Sequence, residues 1–394
     1  MLPAIPSGNL PVTRVCIVAA ARTPQGRFLG GLASVPAARL GAIAAEAALA
    51  RAGISTEAID QVIVGNVLGA GLGQNIARQI AIGAKIPHSC PAFTVNMMCA
   101  SGLQAVALGA QAILAGDTSV ALCGGVESMS NAPYLLERAR SGYKLGHGSL
   151  VDSILRDGLV DSFSGRHMGD CLESLAGQLG ISRQRQDAFA LRSQERALAA
   201  RGTLSHEIVA IDAVTTDEHP RPDTTLDGLA RLKPAFAPDG TITAGNASGI
   251  NDGAAMLVLC SEETARARGW RPMAIFACCA SAGCEPILFG TGPVAATRAL
   301  CQRGGYSLDQ FDTVELNEAF AAQALACVDA LGLHPDRVNP EGGAIALGHP
   351  IGASGARLVV HLAHRIARGE SACALAALCV GGGMGIAAAL EACT

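Results

Sequence analysis

A chain of 394 residues with a formal charge of −4, half of it hydrophobic but only 3% aromatic, with 47 glycines, is too long for one core. Its interior must be packed from small side chains and close backbone contacts. The balanced charge and the lack of a long basic run exclude nucleic acid and an anionic membrane surface as main partners and point to small molecules.

Near the start, VTRVCIVAA at 12–20 reads as a buried strand, and ARLGAIAAEAALARAG at 38–53 has helical spacing that stops at Gly53. A strand QVIVG at 61–65, a helix from about Gln74, the strand PAFTV, a helix from Ser101 and the strand SVALCGG continue the alternation. Residues 128–246 carry most charge runs and turn residues, including TTDEHPRPDTTLDG at 215–228, and read as an inserted, surface-exposed loop region. After Pro272 come the strand MAIFACCA, a helix from Pro293, the strand DTVEL, helices from Glu318 and Ala353, and apolar terminal strands. Ala372–Leu390 is uncharged and long enough to cross a bilayer, but its central glycines fit two short buried strands better. The expected class is α/β: an N-terminal half at 1–127 continuing at about 247–271, the insert, and a C-terminal half at 272–394.

The halves read as duplicates. CASGLQAVALGAQAI from Cys99 aligns without a gap on GASGARLVVHLAHRI from Gly352, and ALCGG at 121–125 has a counterpart in ALCVGGG at 377–383. His349 then occupies the place of Asn96, which brings both helix starts to one site.

Fourteen cysteines in a chain this long, without CxxC pairs or a basic-then-apolar leader at the N-terminus, suit a reducing cytoplasm rather than a disulfide framework, and no spacing supports zinc. Cys99 lies between the strand FTV and the ASG helix, where backbone N–H groups and the helix dipole favour a thiolate. A cysteine chosen blindly is more often a small buried hydrophobe, and so is Cys379 in its apolar strand. The glycines after Cys379 let backbone approach a ligand and offer it N–H groups. Asn317 has an ordinary role as N-cap of a helix starting at Glu318.

The strings NMMCASG at 96–102, NEAF at 317–320, GGAIALGHPIGASGAR at 342–357 and CVGGGMG at 379–385 together resemble the thiolase family. RTPQGRF, GGVESMS and TAGNASGINDGAA extend the resemblance along the whole chain. It implies a thiolase fold and Claisen chemistry on coenzyme A thioesters. Such chemistry needs a nucleophile to hold an acyl group, a base for an alpha proton, and donors for two oxyanions. By resemblance Cys99 is the acylated nucleophile and His349 the base that activates it. Cys379 is the acid/base for the alpha proton or the leaving sulfur. The N–H groups of Cys99 and Gly381 form one oxyanion hole, and Asn317 positions a water that forms the other with His349. Ser248 matches a serine near the pantetheine, Arg221 an arginine at the adenine end, and His167 with Met168 an acyl-pocket pair. The resemblance also implies a homotetramer and no metal or redox cofactor, with CoA thioesters as substrates.

Departures from the family pattern cluster at the acyl and CoA contacts: GDCLE follows Met168, Phe289 stands where a methionine is common, Gly228 replaces a serine, and the insert is short. They leave chain length open. A ketoacyl synthase shares the fold and cysteine, yet ordinarily places a second histidine or asparagine where CVGGGMG stands. A nicotinamide-dependent oxidoreductase fits poorly, because GAGLGQ at 69–74 lacks the third glycine of GxGxxG. A non-catalytic protein of the same fold would not need all three reactive side chains.

Overall fold

The computed structural model describes residues 13–393. In the first half, β1 (Val15–Arg22), a two-residue β2 (Gly26–Arg27), α1 (Ala37–Ala52), β3 (Gln61–Gly65), α2 (Ile76–Gly83), β4 (Ala92–Val95), α3 (Ser101–Ala115) and β5 (Val120–Ser128) follow in order. The intervening region holds a small hairpin of β6 (Tyr134–Leu135) and β7 (Val151–Asp152), then α4 (Met168–Leu179), α5 (Arg183–Ala199), α6 (Arg201–Leu204) and α7 (Leu226–Ala230). Next come β8 (Asn251–Ser261), α8 (Glu262–Arg268), β9 (Ala274–Gly283), α9 (Gly292–Gly304), β10 (Thr313–Leu316), α10 (Ala321–Leu331), α11 (Ala344–Leu347), α12 (Ile351–Ala367), β11 (Cys373–Val380) and β12 (Met384–Glu391).

Nine strands form one path, β10-β11-β12-β9-β1-β8-β5-β3-β4, with β2 beside β8. On the first side β3 runs parallel to β5, and β8 is antiparallel to β5 and β1. On the second, β10 runs parallel to β11, and β12 is antiparallel to β11 and β9. The two sides meet where Cys16 and Ile17 of β1 face Ile275 and Ala274 of β9. The uncharged stretch at 372–390 is the β11–β12 hairpin.

Successive strand residues point to opposite faces, and this sorts the core into layers. Met256 and Val258 of β8 pack with α1 and α2, whereas Leu257 and Leu259 pack with α3 and α12. Likewise Leu378 and Val380 of β11 join the α3/α12 layer, and Leu375, Ala377 and Cys379 join a layer with α4, α9 and α10. The central helices are therefore sandwiched between the two sides of the sheet. They touch backbone to backbone: a methyl on Gly102 would lie 2.8 Å from the Ala356 nitrogen, and one on Gly355 2.6 Å from the Leu103 nitrogen. The ASG glycines are thus needed for close approach, and the small-residue composition is spent here.

The region expected to be an inserted loop is not one. It contains helices of 12 and 17 residues, α4 and α5, because their apolar positions, such as Leu172, Leu175 and Phe189, pack on the C-terminal core. It is tied down by buried charge. Arg22, at the end of β1, contacts Glu207 and Asp217, each at 2.6 Å, and His361 of α12 contacts the other Glu207 oxygen at 3.1 Å.

Candidate functional site

The turn from β4 into α3 is tight. Met98 adopts φ 49°, a left-handed conformation that costs a non-glycine residue about 1–3 kcal/mol, and it presents the half-buried Cys99 just ahead of the helix. Ser101 secures this turn by accepting from Met97 N at 2.9 Å and donating to Met98 O at 2.6 Å. The backbone N–H groups of Gly381 and of Cys99 itself favour the thiolate, yet burial outweighs them and pushes the thiol up to about 11. Desolvation thus exceeds the helix-end stabilisation, and Cys99 needs a base, the part the resemblance gives to His349.

His349 lies on the loop before α12, where its backbone N–H donates to Asn251 Oδ1 at 2.9 Å and Asn251 Nδ2 donates to Gly26 O at 2.9 Å. Burial, followed by the Arg357 charge, lowers it to about 4, so the imidazole is neutral at pH 7. Its Nδ1 is 2.6 Å from Ser354 Oγ and its Nε2 is 3.4 Å from Asn317 Nδ2. Cys379, at the end of β11, is pushed well above the ordinary thiol range by burial and then by neighbouring Cys99.

Cys99, His349, Cys379 and Gly381 line a single apolar cavity of about 260 Å³ together with Ser248, His167, Met168 and Phe289. His167 caps α4, accepting from Gly169 N at 3.0 Å through Nδ1, and stacks on Phe236 at 4.7 Å. Phe236 in turn meets Phe320 edge-on at 6.1 Å. Phe289 is buried within the wall.

Asn317 sits fully buried behind His349. Its expected N-cap role is overturned: α10 begins at Ala321, because residues 319–321 pair with the 246–248 segment through Ser248 N to Ala319 O and Ala321 N to Asn246 O. Arg221 is not in the cavity. It lines an exposed cleft with His219, Gly228 and Leu229, and Ile250 borders both spaces. Cys171 packs into the core away from the cavity.

Sequence reasoning missed Phe236, Phe320, Met129 and Ile351 in the wall. It also missed Glu127, whose carboxylate accepts from Asn66 Nδ2, Val67 N, Leu68 N and Gly352 N at 2.7–3.1 Å. Burial raises Glu127 to about 7 against these four donors, and the bonds clamp the start of α12 to the loop after β3. Among the described residues no group of three His, Cys, Asp or Glu side chains is placed to hold a metal ion.

The sequence matches the model of the thiolase N-terminal domain over residues 15–263 and of the thiolase C-terminal domain over 270–392. The chain belongs to the thiolase family. This thiolase is 50% identical over 388 residues to the acetyl-CoA acetyltransferase of Chromobacterium violaceum, covering 96% of this chain and 99% of that one. It is 50% identical over 386 residues to the acetyl-CoA acetyltransferase of Escherichia coli K12, covering 95% and 98%. The crystal structure of the Bacillus anthracis acetyl-CoA acetyltransferase superimposes with a TM-score of 0.94 at 40% identity, covering 97% of this thiolase and 99% of that chain.

Proposed function

We propose that this thiolase is an acetyl-CoA acetyltransferase that condenses acetyl-CoA with a short acyl-CoA and, in reverse, cleaves a short 3-ketoacyl-CoA with CoA. The observation that carries this reading is the convergence of Cys99, His349, Cys379 and Gly381 on one apolar cavity. His349 takes and keeps the Cys99 proton, the sulfur attacks the thioester carbonyl, and the CoA sulfur leaves as its thiol with the proton of Cys379, so the acyl group stays on Cys99 and Cys379 is left as a thiolate. The N–H groups of Cys99 and Gly381, already aimed at the sulfur, receive the developing oxyanion. Cys379, a very weak acid in this setting, has a correspondingly strong conjugate base, the property needed to take an alpha proton from the second thioester. The resulting enolate oxygen falls to His349 and Asn317, and its carbon attacks the acyl-Cys99 carbonyl to release the 3-ketoacyl product and the Cys99 sulfur.

Acetoacetyl-CoA is the proposed cleavage substrate, since Phe236, Phe289 and Phe320 fill the wall with bulk. CoA enters over Ser248 and lies along the cleft with its adenine end near Arg221, and the reaction needs no metal or redox cofactor. We assign the enzyme to the cytoplasm, which suits fourteen free cysteines, and to a homotetramer. Exposed Tyr134, Leu136, Leu150 and Phe163, on and near the β6–β7 hairpin, favour self-association. The test is CoA-dependent loss of 3-ketoacyl absorbance with the wild type and Cys99→Ala, together with mass spectrometry of the Cys99 peptide after acetyl-CoA. Cleavage and a single added acetyl group in the wild type alone support the reading. No cleavage of any 3-ketoacyl-CoA sinks it.

A further inference from the structure

We infer that Ser354 is a positioning residue that holds His349 with its proton on Nδ1 and its lone pair on Nε2, and that stabilises the imidazolium formed when Cys99 gives up its proton. The inference deepens the proposed function and rests on it.

Ser354 is buried in the first turn of α12, with its Oγ 2.6 Å from His349 Nδ1 and 3.0 Å from Pro350 O. A hydroxyl has one proton and two lone pairs. Pro350 O can only accept, so a hydroxyl proton directed there leaves Oγ to accept from Nδ1–H. At the other ring nitrogen, Asn317 Nδ2 lies 3.4 Å from Nε2, and an amide N–H in that place requires a lone pair on Nε2. Both contacts select the same tautomer. Which nitrogen carries the proton is set by the hydrogen bond at the other. Once His349 is protonated both nitrogens donate, and Oγ is the acceptor at Nδ1 whatever the resting tautomer. The bond is then charge-assisted and stronger than in the ground state, as a contribution to rate requires.

The first half supports the assignment. Ser101, the equivalent serine of the other ASG, also donates to a carbonyl just ahead of its helix, Met98 O, and accepts from an N–H ahead of it, that of Met97. In both halves the serine hydroxyl pins the approach to the helix. In the second half the pinned donor is an imidazole rather than an amide, so the same fastening has become a control on the base. Asn251 fixes the backbone of His349, which leaves ring orientation and proton placement to Ser354.

The test compares wild type, Ser354→Ala, Ser354→Thr and Ser354→Cys in two assays: release of CoA during acylation by acetyl-CoA, and alkylation of Cys99 by iodoacetamide followed by mass spectrometry. Removing the hydroxyl slows both about 10–30-fold, with KM for acetyl-CoA within about twofold because no substrate contact is lost. Thr, which keeps the hydroxyl, restores most of the rate. Cys, a poor acceptor, does not, and it substitutes for Ala if that variant fails to fold. The inference is overturned if Ala or Cys reacts as fast as wild type, if the loss falls on KM, or if a folded Thr variant is as slow as Ala. Failure of the wild type to be acylated by any acyl-CoA refutes the proposed function. The alkylation rates still read the Ser354–His349 link in that case.

Discussion

Replacing Gly102 by alanine tests whether the backbone contact between α3 and α12 sets the catalytic geometry. The new methyl would lie 2.8 Å from Ala356 N, 2.9 Å from Gly352 O and 3.0 Å from Ala356 Cβ. Two of these atoms are backbone and cannot rotate away. Carbon contacts relax near 3.5 Å, so the helices must separate by roughly 0.5 Å. Overpacking of this kind costs about 1–3 kcal/mol, of which the better helix propensity of alanine returns up to about 1 kcal/mol. The net of about 1–2 kcal/mol lowers the melting temperature by only a few degrees. Cys99 precedes one of these helices and His349 the other, so the same shift moves the proposed base from the proposed nucleophile. Because a 1 Å misplacement can cost about 100-fold, a loss of roughly tenfold in kcat/KM for acetoacetyl-CoA cleavage is expected. The assay pairs steady-state thiolysis with calorimetry. Activity within twofold of wild type in a protein that has lost stability would refute the reasoning, since the contact would then be structural only.

Acid stability should report His349. Its folded value of about 4 lies below the unfolded value of ~6.5, so the unfolded state binds more protons across that window and stability falls as pH drops through it, by about 2 kcal/mol at pH 5. His349→Asn lacks this term, and urea unfolding at pH 7 and pH 5 should show a shallower loss than in wild type; equal losses reject the assignment. Glu127→Gln places an amide NH₂ against N–H donors and is expected to destabilise by about 1–3 kcal/mol, read as a lower urea midpoint with an unchanged slope. An unchanged midpoint would mean the clamp contributes nothing. Phe289→Met should move the ratio of kcat/KM for a six-carbon over a four-carbon 3-ketoacyl-CoA upward by about 3–10-fold, and no change would remove Phe289 from the determinants of chain length.

Much of the strand framework was legible because its signals are local. QVIVG reads as a buried strand and is β3, and Ser101 opens its helix as the ASG pattern implies. The misreadings share a cause in distant partners. Residues 317–320 look ready to start a helix, but Glu318 is committed to Ser193, Asn339 and Ile345 N. The charged sequence of α5 resembles solvent-exposed loop until its buried face meets the C-terminal core. At the site, Cys99, His349 and Cys379 stand in recognisable strings, whereas Phe236 carries no local mark. Ser354 and Asn251 lie inside quoted motifs, but their bonds to His349 exist only once the chain is folded. The protonation state of Cys99 likewise depends on total burial, which the helix-end argument could not weigh.

The strand order also dictates when this enzyme becomes competent. β8 lies between β1 and β5, with Val15 facing Ser261 and Val120 facing Cys260, so the first side of the sheet stays open until the chain has been made past residue 261. Glu127 must then wait for Gly352, 225 positions onward, before the two helix starts are clamped together. Contacts of such separation form late and slowly. Nascent chains therefore carry an incomplete sheet with the Cys99 thiol still waiting for His349, and catalysis is among the last properties that folding confers.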